Sequence, residues 1–141
     1  MAKDYVAVQY DLARRPITSY PAKLAQRLVH VHNISKGAKL LEIGAGRPDV
    51  LNGFRLAGIE VYGCDISKVS EVACKKENIP FKYVDLENGK LPYKTEIFDV
   101  VYSKSVIEHM VDPLSFVTES DKIDINALID DIVAKKQKIW F

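Results

Sequence analysis

Residues 40–49 read LLEIGAGRPD, and this stretch decides how the chain folds. Leu40, Leu41 and Ile43 flank one acid, Glu42, and run straight into Gly44-Ala45-Gly46. A short apolar run of this kind is a buried strand, and the glycines after it form a tight turn that brings backbone close to a ligand. Glu42 puts negative charge where a pyrophosphate would otherwise lie, so a cationic ligand fits the turn better. Pro48 follows two residues after Gly46, where the first position of a helix tolerates proline because no hydrogen-bonded N–H is needed.

Downstream, Val50, Leu51, Phe54 and Leu56 fit a helix over 48–57 that closes near Gly58. Glu60–Cys64 reads as a second strand and Ser67 as the N-cap of a helix over 68–77, ended by Asn78-Ile79-Pro80. Phe81–Val84 and Phe98–Tyr102 are the third and fourth strands. Upstream, Pro21 opens a helix on which Leu24, Leu28 and Val31 share a face. Residues 1–20 read as an irregular or partly helical arm. Strand and helix alternating in this way predict an α/β fold, a Rossmann-like parallel sheet with helices on both faces and right-handed crossovers. From Asp121 onward, Ile125, Leu128, Ile129, Ile132 and Val133 recur at helical spacing, so 119–141 is expected to be a helical tail.

The chain has 141 residues, 48% of them hydrophobic, enough for one domain with one core. Its net charge of +1, with no long basic run, gives no support for nucleic-acid binding. No apolar stretch approaches the roughly 20 residues that span a bilayer, and a cytoplasmic protein is the default expectation. Cys64 and Cys74 read as buried thiols, and His30 and His32 as surface residues near a helix end.

Four strand ends carry polar groups suited to a crevice at the carboxyl edge of such a sheet: Glu42 with its glycine turn, Asp65, Asp85 and Ser103. Asp65 lies at about the distance beyond the glycines at which an acid accepts hydrogen bonds from a ribose diol. Any one of these could be an ordinary loop residue; four in register make a shared site the better reading.

The Glu42–Pro48 pattern resembles motif I of the class I S-adenosylmethionine-dependent methyltransferases, in which an acid and any residue precede Gly-x-Gly-x-Gly. Here Pro48 stands at the third glycine. The resemblance continues over residues 38–113. Asp65-Ile66-Ser67 is similar to the ribose-binding segment, whose carboxylate holds the hydroxyls while the apolar residue packs on adenine. Asp85-Leu86 is similar to the adenine-recognition segment. FDVVYSKSVIEHM (98–110) is similar to the fourth-strand motif and the helix after it. The resemblance implies S-adenosyl-L-methionine as cofactor, S-adenosyl-L-homocysteine as product, and in-line methyl transfer to a small-molecule acceptor. It implies cofactor contacts from Glu42, Gly44, Ala45, Gly46, Asp65, Ile66, Asp85, Leu86 and Ser103. Within Ile107–Pro113, His109 is the base candidate with Glu108 beside it; the alternative is that Glu108 caps or pairs near a helix start while His109 lines the pocket. Related ubiquinone-type enzymes bind a divalent metal through Glu-x-x-Glu-His, but Ser105 replaces the first glutamate, so no metal is expected. Tyr5, Tyr10 and Tyr20 are candidates for an arm residue over the cofactor, and Arg14 and Arg15 for an anionic substrate or a merely solvated surface.

The domains expected are an arm (1–20), a cofactor-binding unit (21–118) and the tail. The family fold has seven strands, so the chain reads as shortened. An unpaired fourth strand would expose an edge, to be covered by Ile139-Trp140-Phe141 or by another chain, a homodimer included. Two rivals follow: a non-catalytic binding module or partner subunit completed by another chain, and an NAD-dependent oxidoreductase, which Glu42 disfavours.

Overall fold

The computed structural model describes residues 4–85, 91, 93, 97–104, 106 and 127–129. After the short helix α1 (Tyr5–Gln9) come α2 (Tyr20–Val31), β1 (Lys39–Ile43), α3 (Asp49–Leu56), β2 (Glu60–Asp65), α4 (Lys68–Lys76) and β3 (Phe81–Tyr83). β4 (Val100–Ser103) and β5 (Ala127–Ile129) complete the described elements. The sheet order is β3-β2-β1-β4-β5, and every adjacent pair is parallel. The chain winds outward from β1 to β3 and then returns to lay β4 against β1. That reversal makes a crevice beyond the carboxyl ends of β1 and β4, where α/β sheets bind ligands.

Strand alternation divides the apolar residues between two faces. Leu40, Val61, Val100 and Tyr102 face the core built with Ala25 and Leu28 of α2, Leu51 and Phe54 of α3, and Cys74 of α4. Leu41, Ile43 and Val101 are also fully buried, on the alternate positions. Tyr62, the register partner of Leu41, joins Phe98 and Tyr93 in an edge-to-face ring cluster. Phe54 packs edge-on against Tyr102 with ring centroids 5.5 Å apart. Gly53 has a packing role: a Cβ there would lie 2.9 Å from Ala22 Cα and Ala25 Cβ. Its missing side chain lets α2 cross α3 closely.

Local signals mostly act as expected. Ser67 caps α4, its side chain accepting from the Ser70 N–H. Asn78, at φ 56°, supplies the left-handed residue after α4, and Ile79 N–H bonds back to the Cys74 carbonyl. Pro48 is the N-cap of α3 rather than its first helical residue. Val31 and Leu56 are exposed, so the apolar faces of α2 and α3 are narrower than the pattern suggests. His32 is half-buried rather than on the surface, and that burial lowers its pKa. Both cysteines are buried, and burial pushes the Cys74 thiol up to about 12.

The expectation of a helical tail needs correction over 127–129; the rest of 119–141 lies outside the described residues. Ala127–Ile129 is a strand, with Ala127, Leu128 and Ile129 in register with Val101, Tyr102 and Ser103. A short apolar run is ambiguous between the two periodicities, and pairing to β4 satisfies backbone groups that a helix would leave open on that strand. The edge of β4 therefore needs neither Ile139-Trp140-Phe141 nor a second chain over this stretch. The fold class stands as expected, a Rossmann-like parallel sheet with helices, with five strands among the described residues.

Candidate functional site

The turn after β1 is built for close approach. Gly44 and Gly46 have φ of +74° and +55°, conformations that L side chains rarely adopt. At Gly44 a Cβ would also run into the Val106 side chain. The N–H groups of Gly44 and Ala45 both donate to the Cys64 carbonyl, at 2.9 and 3.2 Å, tying the turn to the end of β2. Arg47, next in the turn, pairs with Asp49 at 2.6 Å.

Asp65, the last residue of β2, is the hub. It is 2% exposed. Its Oδ2 accepts from the Gly46 N–H at 2.8 Å and its Oδ1 from the Ser67 N–H at 3.0 Å. The acid and the second glycine, 19 residues apart in sequence, are thus in direct contact. The Tyr5 hydroxyl also donates to Oδ2, at 2.5 Å. Burial, then the Asp65 charge and this hydrogen bond, push the Tyr5 phenol well above its ordinary range.

Glu42 lies in β1 opposite Gly63 and Tyr102 and is 4% exposed. Its Oε2 has no hydrogen-bond partner. Burial first, then the charges of Asp65 and Asp49, raise its pKa well above the usual carboxylate range, with Lys104 acting the other way. A buried, unpartnered carboxylate oxygen beside two further carboxylates favours an arriving cation, because burying negative charge without a partner is costly.

The other expected residues distribute unevenly. Ala45 is buried within the turn, while Ile66 is 47% exposed just beyond Asp65, leaving an apolar side chain at the rim. Asp85 is half-buried two residues past β3, the strand whose Tyr83 is the register partner of Asp65. Ser103 ends β4 beside Ile43, and its hydroxyl donates to the Ile43 carbonyl at 3.2 Å, so it serves to join β4 to β1. Leu86, Glu108 and His109 lie outside the described residues. Arg14 lines an open hollow together with Asp4 and Asp11, and Arg15 stacks on the Tyr10 ring at 5.4 Å.

Asp4 and Arg47 were not expected. Asp4 Oδ1 accepts from Ser67 Oγ at 2.7 Å and Oδ2 from the Val69 N–H at 3.3 Å. Arg47 donates to the carbonyls of Tyr10 and Arg15. Only the position of Arg47 inside the glycine turn could have singled it out; partners so distant in sequence leave no local trace.

The methyltransferase domain family matches residues 41–123, which take in the glycine turn, Asp65 and β4. The chain belongs to the class I S-adenosylmethionine-dependent methyltransferases. It is 28% identical over 91 residues to the ubiquinone biosynthesis O-methyltransferase of Ruegeria sp. (strain TM1040), covering 62% of this chain and 37% of that protein. The chain thus spans little more than a third of that curated relative. A protein from Methanococcus maripaludis, assigned as an S-adenosyl-L-methionine-dependent methyltransferase, shares the fold with TM-score 0.73 at 14% identity, over 87% of this chain and 61% of that one. A protein from Haloferax volcanii assigned as a methyltransferase, solved in complex with the Trm112 methyltransferase activator, gives TM-score 0.69 at 20% identity, over 87% and 57%. Among the described residues no helix is long and apolar enough to cross a membrane.

Proposed function

We propose that this domain binds S-adenosyl-L-methionine at the carboxyl ends of β1 and β2 and transfers its methyl group to a small-molecule acceptor. The observation that carries the reading is Glu42: a buried carboxylate with an unpartnered oxygen, directly below a left-handed glycine turn and next to Asp65. Those features fit a ligand with a positively charged end and a ribose. A dinucleotide pyrophosphate would meet the Asp65 carboxylate and would oppose ionisation of Glu42, which disfavours the NAD-dependent reading.

When bound, the cofactor supplies an activated methyl on a sulfonium, ready for in-line displacement. The work of the chain is then placement. Asp65 holds the ribose hydroxyls, its own orientation set by the Gly46 and Ser67 N–H groups. Glu42 balances the cationic end, and Gly44 and Gly46 let the backbone come close. Ile66 offers its apolar side chain to the adenine, and Asp85-Leu86 is the proposed adenine-recognition segment. His109, with Glu108, is the proposed base where the acceptor must lose a proton. The ubiquinone-biosynthesis relatives support a small-molecule acceptor and oxygen as the methylated atom.

A second reading, a module that works with a partner chain, draws on the Haloferax volcanii protein's complex with its activator. Among the described strands the outer edges of β3 and β5 are both unpaired, so a partner strand would add at one of these rather than at β4. Native mass spectrometry of freshly purified protein, followed by calorimetric titration with S-adenosyl-L-homocysteine, tests both. A retained or titratable nucleoside ligand is expected. Retention of NAD, or no binding of S-adenosyl-L-homocysteine at millimolar concentration, would overturn the assignment.

A further inference from the structure

We propose that Tyr5 holds the ribose subsite of Asp65 in the free protein, so that α1 is a strap the cofactor must displace. The inference rests on the cofactor reading above and concerns the same carboxylate. Asp65 has about four acceptor positions, and the N–H groups of Gly46 and Ser67 and the Tyr5 hydroxyl already take three. A diol needs two side by side, and the carboxylate is 2% exposed with the arm down. The phenol hydroxyl is chemically what a ribose hydroxyl would be there: a neutral O–H donor to a charged acceptor. The two cannot share Oδ2.

The strap is pinned at both ends to the loops that build the site. Asp4 holds it to Ser67 and Val69 at the start of α4. Arg47 holds the carbonyls of Tyr10 and Arg15 from the glycine turn. Val6, 2% exposed, is the apolar anchor. The rest is lightly held: α1 has five residues, and Ala7, Val8 and residues 12–20 are exposed. Few buried apolar contacts mean that the segment opens locally at low cost. Each molecule with its strap down is incompetent to bind, so the apparent affinity falls with the fraction open.

Calorimetry of the full chain with S-adenosyl-L-homocysteine, and hydrogen exchange of the α1 amides with and without it, test the strap. Tyr5→Phe keeps the ring and removes the competing donor. It is expected to bind about tenfold tighter, the lower end for a hydrogen bond to a charged group. Asp4→Ala loosens the pin without touching Asp65 and is expected to tighten binding several-fold. In the parent chain the ligand should speed exchange in α1. Equal or weaker binding by both variants, with ligand slowing α1 exchange, would overturn the strap while leaving the cofactor reading intact. Failure of the parent and both variants to bind at all would remove both.

Discussion

Replacing Asp65 by asparagine keeps the volume and turns one carboxylate oxygen into an NH2 group. In the folded chain that atom must face either the Gly46 N–H or the Ser67 N–H, now 2.8 and 3.0 Å from an oxygen. Whichever way the amide sits, one buried backbone donor loses its acceptor and meets another donor. An unsatisfied buried group costs about 1–3 kcal/mol, and losing the charge weakens the remaining bonds by about another 1 kcal/mol. The domain should therefore lose about 2–4 kcal/mol. At roughly 3–4 °C per kcal/mol for a chain of this size, Tm falls by about 6–16 °C in circular-dichroism melts. Affinity should fall separately. Two charge-assisted bonds to a diol are worth at least about 3 kcal/mol, more than about 100-fold in Kd. Calorimetry with S-adenosyl-L-homocysteine, run well below the variant's melting range, reads that loss on folded protein. A folded Asp65→Asn variant whose Kd lies within threefold of the parent would refute the role given to this carboxylate.

Glu42 predicts a pH dependence with a definite sign. Its folded-state pKa stands above the ordinary value of 4.5, so the folded chain keeps a proton that the unfolded chain releases. Stability should fall as pH rises from about that value through the folded-state pKa, by at most about 1.4 kcal/mol per pH unit. Glu42→Gln removes this slope and also weakens S-adenosyl-L-homocysteine binding; melting curves of variant and parent that stay parallel from acid to neutral pH would contradict it. Gly53→Ala should destabilise by about 1–3 kcal/mol in urea, although alanine is the better helix former, because the added methyl meets Ala22 and Ala25. An unchanged midpoint would mean that α2 and α3 do not cross so closely.

Much of the fold was legible because its signals are local. The apolar run 39–43, the glycines after it, the Ser67 cap and the Asn78 stop each act within a few residues of themselves. Where local signals conflict, the reading failed. Ala127–Ile129 sits in a pattern that suits a helix, and only the backbone groups offered by β4 make it a strand. Val31 and Leu56 share their helices' apolar spacing but face solvent, because burial depends on what packs opposite rather than on period.

The residues of the site divide the same way. That Glu42, the glycine pair and Asp65 belong together is written in their spacing, since a strand–turn–helix–strand unit brings consecutive strand ends to one edge. Which hydrogen bonds those groups make is set by contacts between segments far apart in sequence. Ser103 spends its hydroxyl on Ile43, Glu42 keeps an oxygen unpartnered, and Tyr5 reaches across 60 residues to Asp65. Short-range order follows from each residue's own backbone preferences; competition for a buried acceptor is decided only once the chain has closed around it.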